Sequence, residues 1–398
     1  MRTLESPLKT SSFFTRKRVA YYCSAILVSA LIVQVLSIFR DKEIGGDFPA
    51  FYAVGKVAQN YPHGELYNID LQDKEYYEVT GVRATSPFPY PPWFTIPLAI
   101  FAKLPYLVAL AIWSTISVGF VIAGFWMTAR AVALPLSWDL LGIIACVAFP
   151  PYLFYTLING QPAAFAFFIL ALTYFLQKNH SLLIAGIVLS FLSYKPTLVA
   201  LIGPMLLITK QWRILSGLVI GGIILALVSF LWAGVDGYRG FFHLMALFAQ
   251  GTKSATEIFQ TQKYVDIGAA LRLLFGPQPT LRLILVLCVL PIVFVSWYRI
   301  GPRPLSWSIA IICGLLFNFY SPIYDCTLLI FAVLLVSIDT ISEWLLMALY
   351  FVPLITVPVA KLTGVQLYTF VLIIFFIELL LRVAPYLRST TIRTENAR

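Results

Sequence analysis

Long apolar runs alternate with short polar segments along almost the whole chain. The runs fall at 19–39, 106–129, 136–157, 162–177, 181–194, 196–209, 213–233, 281–299, 305–320, 323–338, 342–360 and 365–382. A helix needs about 20 apolar residues to cross a bilayer, so the pattern predicts an all-α polytopic membrane protein with about twelve transmembrane helices. The runs within 181–209 and 305–338 are short for a bilayer, which predicts spans that are broken, tilted or sheltered by neighbouring helices.

Two longer polar segments interrupt this series, at 40–105 and at 234–280. Neither has the character of a soluble domain or of a low-complexity linker. We therefore expect one integral membrane domain over residues 1–398, in which both segments form large loops. Within the first loop, Pro91 and Pro92 predict a rigid turn into an interfacial helix at 93–104.

The composition agrees with a membrane protein, because 60% of the 398 residues are hydrophobic and only 12% are charged. Soluble domains usually carry about 25% charged residues. The net charge of +10 comes from short Lys and Arg clusters between the apolar runs, without a basic face interleaved with aromatic residues. This pattern excludes a typical nucleic-acid-binding surface. The five cysteines are scattered, with no CxxC pair and no nearby histidine, so neither a disulfide framework nor a zinc site is indicated.

The basic clusters also predict the orientation of the chain. Placing Lys9 and residues 16–18 in the cytoplasm puts the later Lys and Arg clusters on the same side, as the positive-inside rule requires. Both termini are then cytoplasmic, and the segments 40–105 and 234–280 are extracytoplasmic. No metal-binding DxD motif of two aspartates occurs in these outer segments, where Asp41-Lys42-Glu43 at the membrane edge pairs an aspartate with a glutamate, so we expect a metal-independent site.

With this orientation, the polar motifs that are not basic anchors all fall on the outer side. They are Gly46-Asp47-Phe48, Pro89-Tyr90-Pro91-Pro92, Asn159-Gly160-Gln161-Pro162, Ser193-Tyr194-Lys195-Pro196, the loop 234–280 and Tyr320-Ser321-Pro322-Ile323-Tyr324-Asp325. We expect a single outer pocket to gather them. A charged group next to lipid costs about 2.5 to 3.5 kcal/mol, so Lys195 and Asp325 need a partner or a polar cavity, unless they are interfacial anchors that extend to water.

Asp47 has two possible roles. It precedes Phe48 and Pro49, which open a short aromatic helix, so it occupies the position of a helix N-cap. An acid at the membrane edge is also a candidate general base. The residues around it do not decide between the two.

The motifs, taken together and in order, resemble glycosyltransferase family 87. The resemblance rests on Asp47-Phe48-Pro49-Ala50-Phe51-Tyr52, Gly64-Glu65-Leu66-Tyr67, Phe88-Pro89-Tyr90-Pro91-Pro92, Asn159-Gly160-Gln161, Tyr194-Lys195-Pro196 and Tyr320-Ser321-Pro322 with Tyr324-Asp325. It implies a GT-C-type membrane transferase that takes a hexose, by default mannose, from a polyprenyl-phosphate donor. The resemblance further implies that the acceptor is a glycolipid or glycan and that the protein lies in the bacterial cytoplasmic membrane. It implies no cofactor. A polyprenyl-phosphate arabinofuranosyltransferase is an alternative within the family.

The resemblance also implies roles for particular residues. Asp47 matches the general base of an inverting reaction. Lys195 and Tyr194 are the first candidates for the donor phosphate, and Arg272 and His243 are weaker ones; His243 is also explained as an interfacial residue. The side chains expected at the sugar or acceptor are Asn159, Gln161, Tyr52, Tyr90, Tyr324 and Asp325. Asn159 and Gln161 have the alternative role of helix caps, and Asp325 either orders the site through Tyr324 or pairs with Lys195.

A transporter or lipid flippase is the competing class of protein. Such proteins usually contain inverted repeats around a site near the membrane midplane. No repeat is evident here, although the short runs at 181–209 resemble broken spans around Lys195. Convergence of the polar motifs on one outer site would favour an enzyme.

Overall fold

The computed structural model describes residues 15–41, 45–82, 87–134, 139–250, 260–336 and 340–388. These residues form helices joined by short turns, with one isolated antiparallel bridge between Tyr264 and Pro322. The longer α-helices, numbered in chain order, are α1 (Arg16–Asp41), α2 (Phe48–Asn60), α3 (Ile69–Thr80), α4 (Thr95–Phe101), α5 (Tyr106–Ala131), α6 (Asp139–Val147), α7 (Ala163–Lys178), α8 (Leu182–Leu189), α9 (Ile202–Ile208), α10 (Trp212–Gln250), α11 (Ile267–Phe275), α12 (Pro279–Ile300), α13 (Pro304–Phe317), α14 (Leu329–Leu335), α15 (Glu343–Thr363) and α16 (Leu367–Leu381).

Five helices in the described part of the chain are long and apolar enough to cross a membrane. They are Tyr106–Ala131, Trp212–Leu247, Pro279–Ile300, Glu343–Thr363 and Leu367–Leu387. The helices Leu140–Val147 and Pro150–Leu157, bent by 50° at their junction, form a sixth span if they are counted together. The chain is therefore a polytopic helical membrane protein, while the number of about twelve spans stays a prediction.

The remaining apolar helices are shorter, and neighbouring helices bury several of them. In α13, a run of eight residues from Ser306 to Cys313 is buried throughout. Helix α14 and the 3-10 turn Ile323–Leu328 before it are buried almost as fully. A helix buried on all sides needs no full-length lipid contact, so the shelter predicted for these runs is confirmed here.

The segment 40–105 folds into three short helices that pack on one another. Helix α2 lies across α4 because Gly55 has no side chain at the crossing, where it faces the Leu98 carbonyl. The Gln59 side-chain amide donates to the Ala99 carbonyl at 2.5 Å, across the same contact. The 3-10 turn Pro92–Phe94 leads directly into α4, which ends at Phe101. A helix follows the two prolines as predicted, and it ends three residues earlier than expected.

The segment 234–280 contains more helix than expected, because α10 does not end with its apolar run at 233. Its backbone bends at Gly234, where φ is +64° and ψ is −169°, and the helix continues to Gln250. Glycine permits this conformation without the steric cost that a side chain would add. The bend leaves an apolar groove of about 660 Å³, whose walls include Ile223, Leu227 and Phe242. None of the sequence-predicted site residues lines this groove.

Two glycine-containing loops meet at the start of α2. A Cβ atom on Gly46 would lie 2.6 Å from the Asn159 Cα, and one on Gly160 would lie 2.6 Å from the Phe48 Cβ. Both glycines have positive φ, +56° and +66°. Only glycine allows this approach of the two backbones without strain. The contact places the start of α2 directly against the loop before α7.

We expect Gly160→Ala to destabilise the protein. The left-handed backbone conformation costs about 1 to 3 kcal/mol for a residue with a side chain, and the new methyl group also overlaps Phe48. Thermal unfolding of the full-length protein in detergent measures the effect. Gly222→Ala is the matched control, because a Cβ at Gly222 meets nothing within 4 Å. Equal unfolding midpoints for the two variants would contradict the role given to this contact.

Candidate functional site

The Asp47 carboxylate is exposed and does not cap the helix that it precedes. Asp47 occupies the N-cap position of α2, but its φ of −90° and ψ of −6° are helical, and its side chain accepts no capping hydrogen bond. The Gln161 side-chain amide instead donates to Asp47 Oδ2 at 2.6 Å. Of the two roles open to Asp47, the structure does not support that of a side-chain cap. One carboxylate oxygen is oriented, and the group remains open to a ligand.

The backbone holds Asp47 and Gln161 in this relation. The Asp47 amide donates to the Asn159 carbonyl at 2.9 Å, and the Trp113 indole donates to the Gly160 carbonyl at 2.9 Å. Pro162, and neither Asn159 nor Gln161, is the N-cap residue of α7. The alternative role of these two residues as helix caps is therefore not observed.

Lys195 and Asp325 form a buried ion pair. Only 7% of Lys195 and 1% of Asp325 is exposed, and the Lys195 ammonium donates to Asp325 Oδ2. The Lys195 Nζ also lies 5.0 Å from the ring centroid of Tyr320 and 4.8 Å from that of Tyr324. Such positions over aromatic rings stabilise a cation. Lys195 is thus not an anchor that extends to water, and pairing is the role that Asp325 has in the structure.

Two tyrosine side chains lie near both the Asp47 carboxylate and this ion pair. Tyr90 and Tyr320 each interact electrostatically with both Asp47 and Asp325. Tyr320 is hydrogen-bonded to Tyr324 and to Tyr264. Burial is the main cause that raises the pKa of Tyr320 to about 12, and the charges of Asp325 and Asp47 add to it. These tyrosines are therefore neutral hydrogen-bonding groups at neutral pH, suited to sugar hydroxyls.

Tyr194 packs against Tyr90. The Tyr194 ring stacks against Phe94 and Tyr90, with centroid distances of 5.2 and 5.8 Å. Its hydroxyl donates to the Pro162 carbonyl at 3.4 Å, next to Gln161.

The structure therefore brings together one group of residues, which we call the Asp47 cluster. It consists of Asp47, Tyr90, Asn159, Gln161, Tyr194, Lys195, Tyr264, Tyr320, Tyr324 and Asp325.

Three predicted site residues lie outside this cluster. The Tyr52 hydroxyl donates to the Leu104 carbonyl at 2.7 Å and joins α2 to the turn after α4. His243 is exposed on the second half of α10, and Arg272 is exposed near the end of α11. No contact in the described part of the chain links any of the three to Asp47 or Lys195.

Two residues of the Asp47 cluster, Tyr320 and Tyr264, were not predicted from the sequence as site residues. Tyr320 belongs to a motif that we singled out, but no role was given to it. Tyr264 comes from the loop before α11, and its neighbour Val265 donates its amide to the Ser321 carbonyl at 2.9 Å. The tyrosine-proline motif Tyr320-Ser321-Pro322 was a signal for the first residue, whereas no local pattern marks the second.

The family model of glycosyltransferase family 87 matches residues 88–322, which is more than half of the chain. The chain belongs to this family. It is therefore a membrane glycosyltransferase, and the resemblance predicted from its motifs is confirmed. No curated protein and no solved structure matches the chain. The matched range of the family 87 protein contains Gln161, Lys195 and Tyr320, whereas Asp47 precedes it and Asp325 follows it.

Proposed function

We propose that the protein transfers a hexose from a polyprenyl-phosphate sugar to a glycolipid or glycan acceptor on the extracytoplasmic side of the membrane. Mannose is the first candidate for the sugar, and arabinofuranose is the alternative that the family offers. The observation that carries this proposal is the exposed Asp47 carboxylate, which caps no helix. The Gln161 amide nitrogen orients it by a hydrogen bond of 2.6 Å to Asp47 Oδ2. It lies in the same cluster as a cation and several neutral tyrosines.

Asp47 is the proposed general base of an inverting transfer. Its carboxylate takes the proton of the acceptor hydroxyl while the hydroxyl oxygen forms a bond to the anomeric carbon. The bond between that carbon and the phosphate oxygen breaks on the opposite face, and the lipid phosphate leaves as a monoester. One negative charge passes from Asp47 to the leaving phosphate, so the reaction balances without a metal ion or a cofactor.

Lys195 is the proposed electrostatic partner of the phosphate. Positive charge and hydrogen-bond donors at the leaving group stabilise the charge that develops there. The pairing of Lys195 with Asp325 keeps its ammonium in place beside Tyr320 and Tyr324. The hydroxyls of Tyr90 and Tyr324, with the Asn159 side chain, are proposed to bind the sugar or the acceptor.

Transfer assays with purified protein test this function. The protein is incubated with a panel of radiolabelled polyprenyl-phosphate sugars, and native lipid extract serves as the acceptor. We expect label to pass from one of these donors to a lipid or glycan product. The same assay with nucleotide sugars is the control. Transfer from nucleotide sugars alone would overturn the proposed donor class, and transfer from the arabinofuranose donor would replace mannose.

Gln161→Leu tests the orientation of the base. We expect kcat to fall about tenfold or more, because a hydrogen bond to a charged group contributes about 1.5 to 3 kcal/mol. Stability is expected to stay the same or rise, because Gln161 Oε1 is buried without a partner in the described part of the chain. Steady-state kinetics and thermal unfolding separate the two effects. A parallel loss of kcat and stability would instead identify Gln161 as a structural residue.

A further inference from the structure

Arg282, in the first turn of α12, lies beside a second hydrogen-bond donor, the side-chain amide of Asn318. The Arg282 guanidinium donates to the Asn318 carbonyl, and its central carbon lies 4.5 Å from the ring centroid of Phe319. The side-chain amide nitrogen of Asn318 is buried and has no partner in the described part of the chain. Asn318 itself is only 9% exposed, and its side-chain oxygen already accepts from the Phe319 amide at 2.7 Å. The free hydrogen-bonding capacity here is therefore that of donors.

The positive charge at this place is only partly compensated. Asp266 is close to Arg282, because a Cβ on Gly268 would lie 3.0 Å from Asp266 Oδ1 and from the Arg282 Nε. Among the described residues the two form no ion pair, and Asp266 accepts instead from the amides of Ala269 at 2.9 Å and Ser321 at 3.4 Å. Burial raises the pKa of Asp266, while the hydrogen bond from Ala269 and the charge of Arg282 act in the opposite direction.

This site lies between the Asp47 cluster and the lipid-facing surface. Phe319 is 85% exposed, and Leu283, Ile284 and Leu287 expose apolar side chains on the adjoining face of α12. In a membrane-spanning helix such a face contacts lipid chains. Tyr320 of the Asp47 cluster follows Phe319 directly in the chain. A lipid headgroup at Arg282 would therefore have its chain in the bilayer and its polar end towards Asp47.

We propose that Arg282, with the Asn318 side-chain amide, binds the phosphate group of a membrane lipid. Arginine forms paired hydrogen bonds with phosphate oxygens, and both charge and donors are present here. The identity of this lipid rests on the proposed function: before transfer it is the polyprenyl-phosphate sugar donor, and after transfer it is the monoester product. Transfer raises the phosphate charge from −1 towards −2. Asp325 already neutralises Lys195, so the second cation for the departing phosphate is Arg282.

Binding measurements without turnover test the site. Full-length protein in nanodiscs is titrated with polyprenyl monophosphate, with the polyprenol of equal chain length, and with phosphatidylglycerol, and native mass spectrometry measures occupancy. Arg282→Gln is expected to weaken binding of polyprenyl monophosphate about tenfold to a hundredfold and to leave polyprenol binding unchanged. Arg282→Lys keeps the charge and should retain part of the affinity. Arg239→Gln is the matched control, because Arg239 is an exposed arginine paired with Asp236.

The outcomes separate the sources of the phosphate. An effect confined to polyprenyl monophosphate supports the donor site, whereas an equal effect on phosphatidylglycerol supports a phosphate site but overturns its assignment to the donor. Unchanged binding, or an equal loss for polyprenol, overturns the proposal as a whole. Asn318→Asp is a second variant, which replaces the free donor by a carboxylate and should weaken phosphate binding without removing Arg282.

Failure of this proposal is distinguishable from failure of the proposed function. Asp47→Asn should bind polyprenyl monophosphate like the wild type, because Asp47 acts on the acceptor. If the protein binds this lipid through Arg282 but transfers no sugar, the phosphate site stands and the transferase assignment to this donor falls.

Discussion

Asp47→Asn should lower kcat for sugar transfer by about a hundredfold to ten-thousandfold, the range that a general base contributes. Asparagine keeps the shape of the side chain and still accepts a hydrogen bond from Gln161, so the local geometry stays as it is. What it loses is the ability to take a proton. The measurement is single-turnover transfer of label from the donor that the wild type uses.

The control for this variant is its folding and its donor binding. Because the Asp47 side chain caps no helix, we expect its unfolding temperature and its affinity for polyprenyl monophosphate to match the wild type. An Asp47→Asn variant that keeps kcat within a few-fold of the wild type would remove the proposed base. Loss of activity together with loss of folding would leave Asp47 a structural residue.

Lys195→Met should destabilise the protein by about 3 to 5 kcal/mol, because it leaves Asp325 as a buried charge without a partner. Asp325→Leu should destabilise the protein by a similar amount, because it leaves the Lys195 ammonium as the buried charge without a partner. The double variant should be clearly more stable than either single variant, since an apolar pair replaces both charges and leaves neither uncompensated. Unfolding of the purified variants in mixed detergent micelles, analysed as a double-mutant cycle, measures this coupling.

The same three variants separate stability from function. The double variant restores folding, yet it lacks the cation beside Tyr320 and Tyr324 and should transfer sugar poorly. If it transfers sugar as well as the wild type does, Lys195 has no part in donor binding. If it is no more stable than the single variants, the ion pair is not the reason why both residues are buried.

The hydropathy pattern predicted the helical membrane fold and the sheltered short helices, because burial and lipid contact both require apolar residues. It did not predict the course of α10 beyond Gly234, since an apolar run marks where a span ends and not whether the helix continues. The number of spans cannot be counted from runs alone. Short runs such as α13 and α14 are apolar because they are surrounded by protein.

The site was partly predictable for a different reason. Lys195 and Asp325 stood out because a charge between apolar runs needs a partner, and each supplies one for the other. Their pairing was one of two alternatives that the sequence left open. Arg282 did not stand out, because an arginine at the end of an apolar run is also typical of a membrane anchor. Its surroundings come from segments around 266 and 318, which only the folded chain brings together.

The order in which the ribosome releases the chain gives the Lys195–Asp325 pair a further consequence. The lysine precedes its counter-ion by 130 positions, and the carboxylate of Asp47 precedes the glutamine that orients it by 114. A nascent chain therefore carries an uncompensated ammonium group while α9 to α13 are still being made. Membrane insertion of the first half must tolerate that charge until the later helices arrive, and a product truncated before residue 325 would never neutralise it.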